Sequence, residues 1–418
     1  MKKILALVLA LCMVFALCAC GQSAAPAEEA PAAEAPAAEA EAPAEEAAEV
    51  EEAEYKIAMI TDYGDITDQS FNQTTYEACK AFAEANGVDF QYFKPAGDST
   101  AERVAMIEKA ADEGYNVMVM PGYAFGGAIV EAAPEFPEVK FIALDVAKGD
   151  LLETAVALAG ESYDYNADNW VLEDYVDMSN VYCAVYQEEL CGYMAGYAAV
   201  KLGYTKLGFL GGMAVPAVMR YGYGFVQGVD AAAAELGLTD VSVNYVYGGQ
   251  FFGDADITAV MDTWYAGGTE VVFACGGGIY ASACEAAQKV NGKVIGVDTD
   301  QSANIDAAYG EGMTVTSAMK GLYPATFDTL TDVIVNGNWD KYVGTIATLG
   351  LVSGEDPEAN YVQIPMTTQF EDGKFTAEDY KALVASMFSG DLVVSNDISK
   401  AASDFATVIA LDDQGSIK

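Results

Sequence analysis

The feature that most constrains this chain is a rhythm. From Tyr55 onward, short apolar runs recur, each followed by a stretch long enough for a helix and then by a glycine or a turn. Residues 55–60, 90–93, 117–120 and 140–144 read as strands. Between them, 73–86, 101–113 and 125–133 carry helical spacing, the first two stopped by Gly87 and Gly114. After a strand at 181–186 and a helix at 188–202, the pattern restarts with strands at 206–210, 241–247, 271–275, 293–297 and 314–317. Strands separated by helices of about 10–15 residues make βαβ units and a parallel sheet. The expected fold is therefore α/β, with two Rossmann-like lobes whose parallel sheets flank a cleft. A stretch this long exceeds one ordinary core, which also asks for two lobes.

The expected boundaries follow. Residues 55–186, with about 319–350 returning, form an N-terminal lobe. Residues 187–318 form a C-terminal lobe, and 351–418 a C-terminal segment packing on both. Residues 150–180 are polar and rich in Tyr and Asp, and read as an insertion or long loop. Lys320 is expected to begin a helix running to Val335. Ligands of such sheets bind outside the carboxyl ends of the strands.

Two segments precede the folded part. Met1, Lys2 and Lys3 lead into residues 4–19, which carry no charge. A positive start, an apolar core and small residues before its end form a secretory signal. At 16 residues the run is shorter than the roughly 20 that a spanning helix needs. It ends Leu17-Cys18-Ala19-Cys20-Gly21, which resembles a lipobox. Cys20 follows the small Ala19, whereas Cys18 follows the bulky Leu17, so Cys20 is the expected lipid acceptor. Residues 1–19 are then a signal peptide. Residues 21–54 hold 11 Glu and no Lys or Arg among Ala and Pro. Like charges and Pro oppose compaction, so 20–54 reads as a lipidated, self-extending tether. The chain is placed at the extracytoplasmic face of the cell membrane.

Charge and composition exclude several functions. The net charge is −43, and −34 remains after setting aside Lys2, Lys3 and the tether glutamates. Such a surface repels nucleic acid, so no nucleic-acid partner is expected. The chain has no His, which removes the commonest general base and metal ligand. Beyond the leader, Cys79, Cys183, Cys191, Cys275 and Cys284 are odd in number and lack CxxC spacing, so buried free thiols are expected. Asp62, Asp65 and Asp68 do not match an EF-hand loop. Neither Gly211-Gly212 nor Gly276-Gly277-Gly278 completes a dinucleotide fingerprint. No metal, no cofactor and no enzymatic activity are expected.

The candidate ligand residues stand where strands end. Asp62 closes the first strand. Ser70, a candidate cap, precedes Phe71 and Asn72 at the next helix start, and an aromatic face beside an amide suits a planar hydrogen-bonding ring. Asp145 and Asp298 each end a strand, where a carboxylate accepts two hydrogen bonds from a ring edge or a pair of hydroxyls. Lys320 is a donor nearby.

In order along the chain, Asp62, 68–73, 140–145, 192–196, 208–213, 223–228, 296–301 and 316–320 resemble the basic membrane protein family of lipoproteins. These are the PnrA-like (Med/TmpC) nucleoside-binding components of ABC importers. The resemblance implies a type I periplasmic-binding-protein fold and a nucleoside ligand, often a purine one. It implies that Phe71 stacks on the base, that Asp62, Asn72 and Asp145 bind its edge, and that Asp298 and Lys320 hold the ribose. A second aromatic from the other lobe closes the sandwich near Asp254. Phe251 and Phe252 both stand there, and Phe252 is favoured. The implied partners are a nucleoside, an ABC permease and the membrane through the lipid, with the protein a monomer. A sugar or autoinducer receptor of the same fold is the alternative; a sugar site lacks ring-edge carboxylates such as Asp62 and Asp145. A Rossmann-type enzyme is the third reading, and the incomplete glycine motifs and the export signal oppose it.

Overall fold

The computed structural model describes residues 54–418. The signal, Cys20 and tether readings lie outside the described residues.

The first half runs β1 (Lys56–Ile60), α1 (Phe71–Asn86), β2 (Asp89–Phe93), α2 (Thr100–Asp112), β3 (Val117–Pro121), α3 (Phe125–Ala132), β4 (Lys140–Leu144), α4 (Lys148–Leu158) and β5 (Val181–Tyr186). The second runs α5 (Glu188–Leu202), β6 (Lys206–Gly211), α6 (Pro216–Leu236), β7 (Ser242–Tyr247), α7 (Ala255–Ala266), β8 (Val271–Cys275), α8 (Tyr280–Gln288), β9 (Lys293–Asp298), α9 (Ser302–Tyr309) and β10 (Thr314–Lys320). Then come α10 (Leu322–Leu330), β11 (Ile346–Leu349), β12 (Val362–Gln363), α11 (Ala377–Ser389) and β13 (Ala410–Ser416).

One sheet has the order β11-β5-β4-β3-β1-β2 and is parallel throughout. The other has the order β12-β10-β9-β8-β6-β7-β13 and is parallel except where β12 meets β10. The order β4-β3-β1-β2 therefore repeats as β9-β8-β6-β7. The central strands β3 and β8 are buried along their whole length, which is why they read as unbroken apolar runs.

Helices α5 and α6 pack backbone against backbone. A Cβ on Gly192 would lie 2.3 Å from the Tyr221 carbonyl oxygen, and one on Gly196 2.3 Å from that of Phe225. In return, a Cβ on Gly224 or Gly228 would lie 2.1 Å from the carbonyl of Glu189 or Tyr193. No side chain fits at any of the four, so the glycine spacing sets the distance between the helices. Glu188 opens α5, and Arg220 and Tyr221 stand in the second turn of α6.

Two expectations are corrected. The stretch 150–180 is not loop throughout, because α4 occupies its start and buries Leu151, Leu152, Ala155 and Val156. That i, i+1, i+4, i+5 stripe is helical, and the Tyr- and Asp-rich residues after it hid it. Lys320 does not begin a helix. It is the last residue of β10, and the helix starts after Gly321. The five non-leader cysteines are free and buried. Among the described residues no helix is long and apolar enough to cross a membrane.

Candidate functional site

A cavity of about 410 Å³ opens at the carboxyl ends of the strands of both sheets. All seven candidate ligand residues line it: Asp62, Phe71, Asn72, Asp145, Phe252, Asp298 and Lys320. Phe251, the second candidate for the closing aromatic, lines it too, as do Arg220, Tyr221, Asp150 and Asp68, four residues without an expected ligand role.

The loop before α1 is organised by Asp68. Its carboxylate accepts from the Ser70 and Gln73 amides at 2.9 and 3.0 Å, and from the Asn72 amide and side-chain Nδ2 at 2.9 and 3.0 Å. Asp68 thus caps α1, and Ser70, the expected cap, does not. The Ser70 hydroxyl instead donates to Asp298 Oδ2 at 2.6 Å, a contact between residues 228 apart in sequence. Gln69, held in the left-handed region at φ 56°, turns its carbonyl to Gln301 Nε2 at 3.1 Å. Because Nδ2 of Asn72 is committed to Asp68, its Oδ1 remains a buried acceptor with no partner in the protein.

Asp62 Oδ1 accepts from the Tyr63 and Gly64 amides at 2.6 and 2.9 Å. Burial pushes its carboxyl above the ordinary range, against those two amides and Arg103. A Cβ at Gly122 would lie 2.7 Å from Asp62 Oδ2, so that turn must be glycine.

Asp145 and Asp298 occupy equivalent places, one residue past β4 and at the end of β9. Both take left-handed backbone, φ 62° and 64°. This is uncommon for a residue with a Cβ and tolerated best by Asp and Asn. Lys320 lies between them and is 5% exposed. Its ammonium donates to Asp145 Oδ2 and stands 3.6 Å from Glu188 Oε1 and 3.7 Å from Asp298 Oδ1. Burial opposes that charge, but the three carboxylates outweigh it and raise the lysine. The same ammonium lies over the Phe71 ring at 4.7 Å from its centroid. One face of Phe71 is thereby taken by a cation, and stacking is left to the other.

Glu188 is fully buried and accepts from Arg220 Nε at 2.7 Å. Burial raises its carboxyl, against Arg220 and Lys320. Burial also pushes Asp150 up to about 7, and Glu189 up to about 7 with Glu188 adding to it. Six carboxylates (Asp62, Asp65, Asp68, Asp145, Asp150, Asp298) and three cations (Lys94, Arg220, Lys320) line the cavity. This balance repels a phosphate.

Two further aromatics of the cavity, Phe251 and Phe252, sit on the loop after β7. Phe251 packs on the glycine motifs: a Cβ on Gly212 would lie 2.4 Å from its ring and one on Gly276 2.9 Å. These glycines make room for an aromatic ring. The carbonyl of Phe251 accepts from the Gly278 amide at 2.9 Å. Phe252 is 55% exposed.

A family model described as ABC transporter substrate-binding protein, PnrA-like, matches residues 55–355. The nucleoside-binding protein BmpA of an ABC transporter in Lactococcus lactis subsp. cremoris is 26% identical over 261 residues, 59% of this chain and 65% of that protein. The chain thus spans just under two thirds of that relative's length. An uncharacterized lipoprotein of Pyrococcus abyssi is 24% identical over 304 residues, 71% of this chain and 67% of that protein. Among solved structures, an ABC transporter solute-binding protein of Aeropyrum pernix K1 superposes with a TM-score of 0.58 at 20% identity, covering 84% of this chain and 90% of that one. That superposition matches the two parallel sheets to the periplasmic-binding-protein fold. The match over most of the folded part settles the family: this chain is a member of the Bmp family of PnrA-like ABC transporter substrate-binding proteins, a family of binders and not of enzymes.

Proposed function

We propose that this protein captures a nucleoside, most favourably a purine nucleoside, outside the cytoplasm and delivers it to an ABC importer. The observation that carries the reading is the makeup of the cavity. Phe71 offers one aromatic face not covered by Lys320, Phe251 and Phe252 line the same cavity, and so do buried acceptors of Asp62 and Asn72. A nucleoside has a π face, a donor-bearing edge and no phosphate. In this reading Phe71 and Phe252 clasp the base, while Asp62, Asn72 and Asp145 meet its edge. Asp298 and Lys320 hold the ribose, exchanging the Ser70 contact for a sugar hydroxyl. Buried polar partners give discrimination, since an analogue lacking a donor leaves a carboxylate unpaired.

Calorimetry against nucleosides, free bases, nucleoside monophosphates and pentoses tests this. Tight binding of a purine nucleoside and none of its monophosphate is expected. Binding of a pentose with no nucleoside bound would sink the reading. We further propose that Cys20 carries the lipid that anchors the chain. Cys20→Ser then moves the protein from the membrane fraction to the medium; retention in the membrane counts against it.

A further inference from the structure

We propose that residues 410–418, beyond the part matched to the family, form a strap that fixes the aromatic loop 248–254 beside the cavity, with Lys418 as a positioning residue. The inference rests on the ligand reading above and goes deeper into how that site is closed.

The placement follows from strand direction. β13 runs parallel to β7 at the sheet edge, so its end reaches the same carboxyl-end rim as the cavity. The ladder runs from Ala410 opposite Ser242 to Ser416 opposite Tyr247, the last residue of β7, and the Ile417 amide then donates to the Tyr247 carbonyl at 2.8 Å. The aromatic loop begins at the next residue. Gly249, at φ 81°, would bring a Cβ to 2.9 Å from Cβ of Lys418, so the strap lies directly on the loop backbone. The Lys418 ammonium donates to Gln250 Oε1 at 3.2 Å and pairs with Asp254 Oδ2. Gln250 Nε2 passes the contact on, donating to the Phe252 carbonyl and to Asp254 Oδ2, both at 2.9 Å. Asp254 caps α7 through the Asp256 and Ile257 amides at 3.0 Å.

The strap has its own anchorage. Asp230 accepts from the Thr407 and Val408 amides at 2.7 Å and from the Thr407 hydroxyl at 2.6 Å. Trp264 Nε1 donates to Gln414 Oε1 at 3.1 Å. On its other side the loop is held by the Gly278 amide. The loop that carries Phe251 and Phe252 is thus gripped from two directions, and only one of them lies within the family match. An exposed ion pair alone contributes about 0–1 kcal/mol. The grip comes from the ladder, the packing on Gly249 and the Gln250 relay together.

Hydrogen exchange on the full chain tests the strap, comparing wild type with Lys418→Glu, Gln250→Ala and Lys418→Arg, and with Lys381→Glu as a charge control elsewhere. In Lys418→Glu and Gln250→Ala, exchange across 248–254 is expected to rise about fivefold while β8 stays protected. Purine nucleoside dissociation is expected to quicken by about three- to tenfold, since loop contacts act mainly on the off-rate. Lys418→Arg and Lys381→Glu should match wild type. Unchanged exchange in 248–254, an equal rise in β8, or faster exchange with unaltered nucleoside dissociation each overturns the strap. A wild-type protein that binds no nucleoside counts against the proposed function instead, and the exchange comparison then decides the strap by itself.

Discussion

At the scale of single residues, the site turns on one ammonium shared by three acids. Lys320 answers Asp145, Glu188 and Asp298, and Arg220 gives Glu188 a second partner. Removing one partner of a buried ion network leaves uncompensated charge, at a cost of about 3–5 kcal/mol. Lys320→Met is therefore expected to lower the denaturation midpoint by that equivalent and to abolish nucleoside binding; a melt matching wild type would show that the acids do not depend on it. Phe71 is half-buried, so its truncation acts differently. Base–aromatic stacking contributes about 1–3 kcal/mol per base, so Phe71→Ala should weaken binding by about tenfold to a hundredfold with a smaller change in stability. Equal losses in both, measured by calorimetry and thermal melting, would make Phe71 a packing residue. Asp62, Asp145 and Asp298 were legible in the sequence because each ends an apolar run, where α/β folds place their ligand loops. The Ser70 contact with Asp298 was not, because nothing local links residues so far apart, and Ser70 has the composition of a cap. Glu188 looked like an ordinary helix-start residue and Arg220 had no expected role, and only the α5–α6 contact brings them together.

At the scale of elements, the interlocked helices α5 and α6 are the frame of the site. Gly224→Ala drives a methyl into the Glu189 carbonyl. Overpacking typically costs about 1–3 kcal/mol, and contact with backbone on both sides leaves little room to relax. Gly224→Ala should therefore lose about 3 kcal/mol or more in urea unfolding; a near-neutral result would mean that the helices slide apart freely. Gly87→Ala, with open space around its Cβ, serves as the contrast, since it carries only the strain of its left-handed backbone at φ 68°. The strand–helix alternation was readable because burial on both faces leaves uninterrupted apolar runs. Helix α4 was not, because its short stripe is followed at once by polar, aromatic residues. The end of β10 was misread because Ala318 and Met319 suit a helix as well as a strand, and pairing with β9 decided the matter.

At the scale of the whole molecule, charge governs the response to pH. Asp150 and Glu189 are each pushed up to about 7 by burial. A carboxyl raised on folding binds its proton more tightly in the folded state, so its contribution is fully present below the unfolded value. It fades as pH climbs through the raised one, a window of about 4 to 7. The negative surface works in the same direction, because protonation relieves self-repulsion. Asp254, held down to about 2 by the Ile257 amide and by Lys418, adds stability that disappears only in stronger acid. The melting temperature should accordingly be higher near pH about 5.5 than near pH about 8, with added salt narrowing the gap. A melting temperature that climbs steadily from the lower to the higher pH would contradict the burial of these two acids. The glycine-locked helices carry one more implication, for how a protein like this changes its cargo. Positions 192, 196, 224 and 228 admit no side chain, so the frame that presents Glu188 and Arg220 is closed to gradual variation. New ligand preferences must arise where chain can still be exchanged: the turn before α6, the aromatic loop, and whatever grips that loop from outside the shared fold.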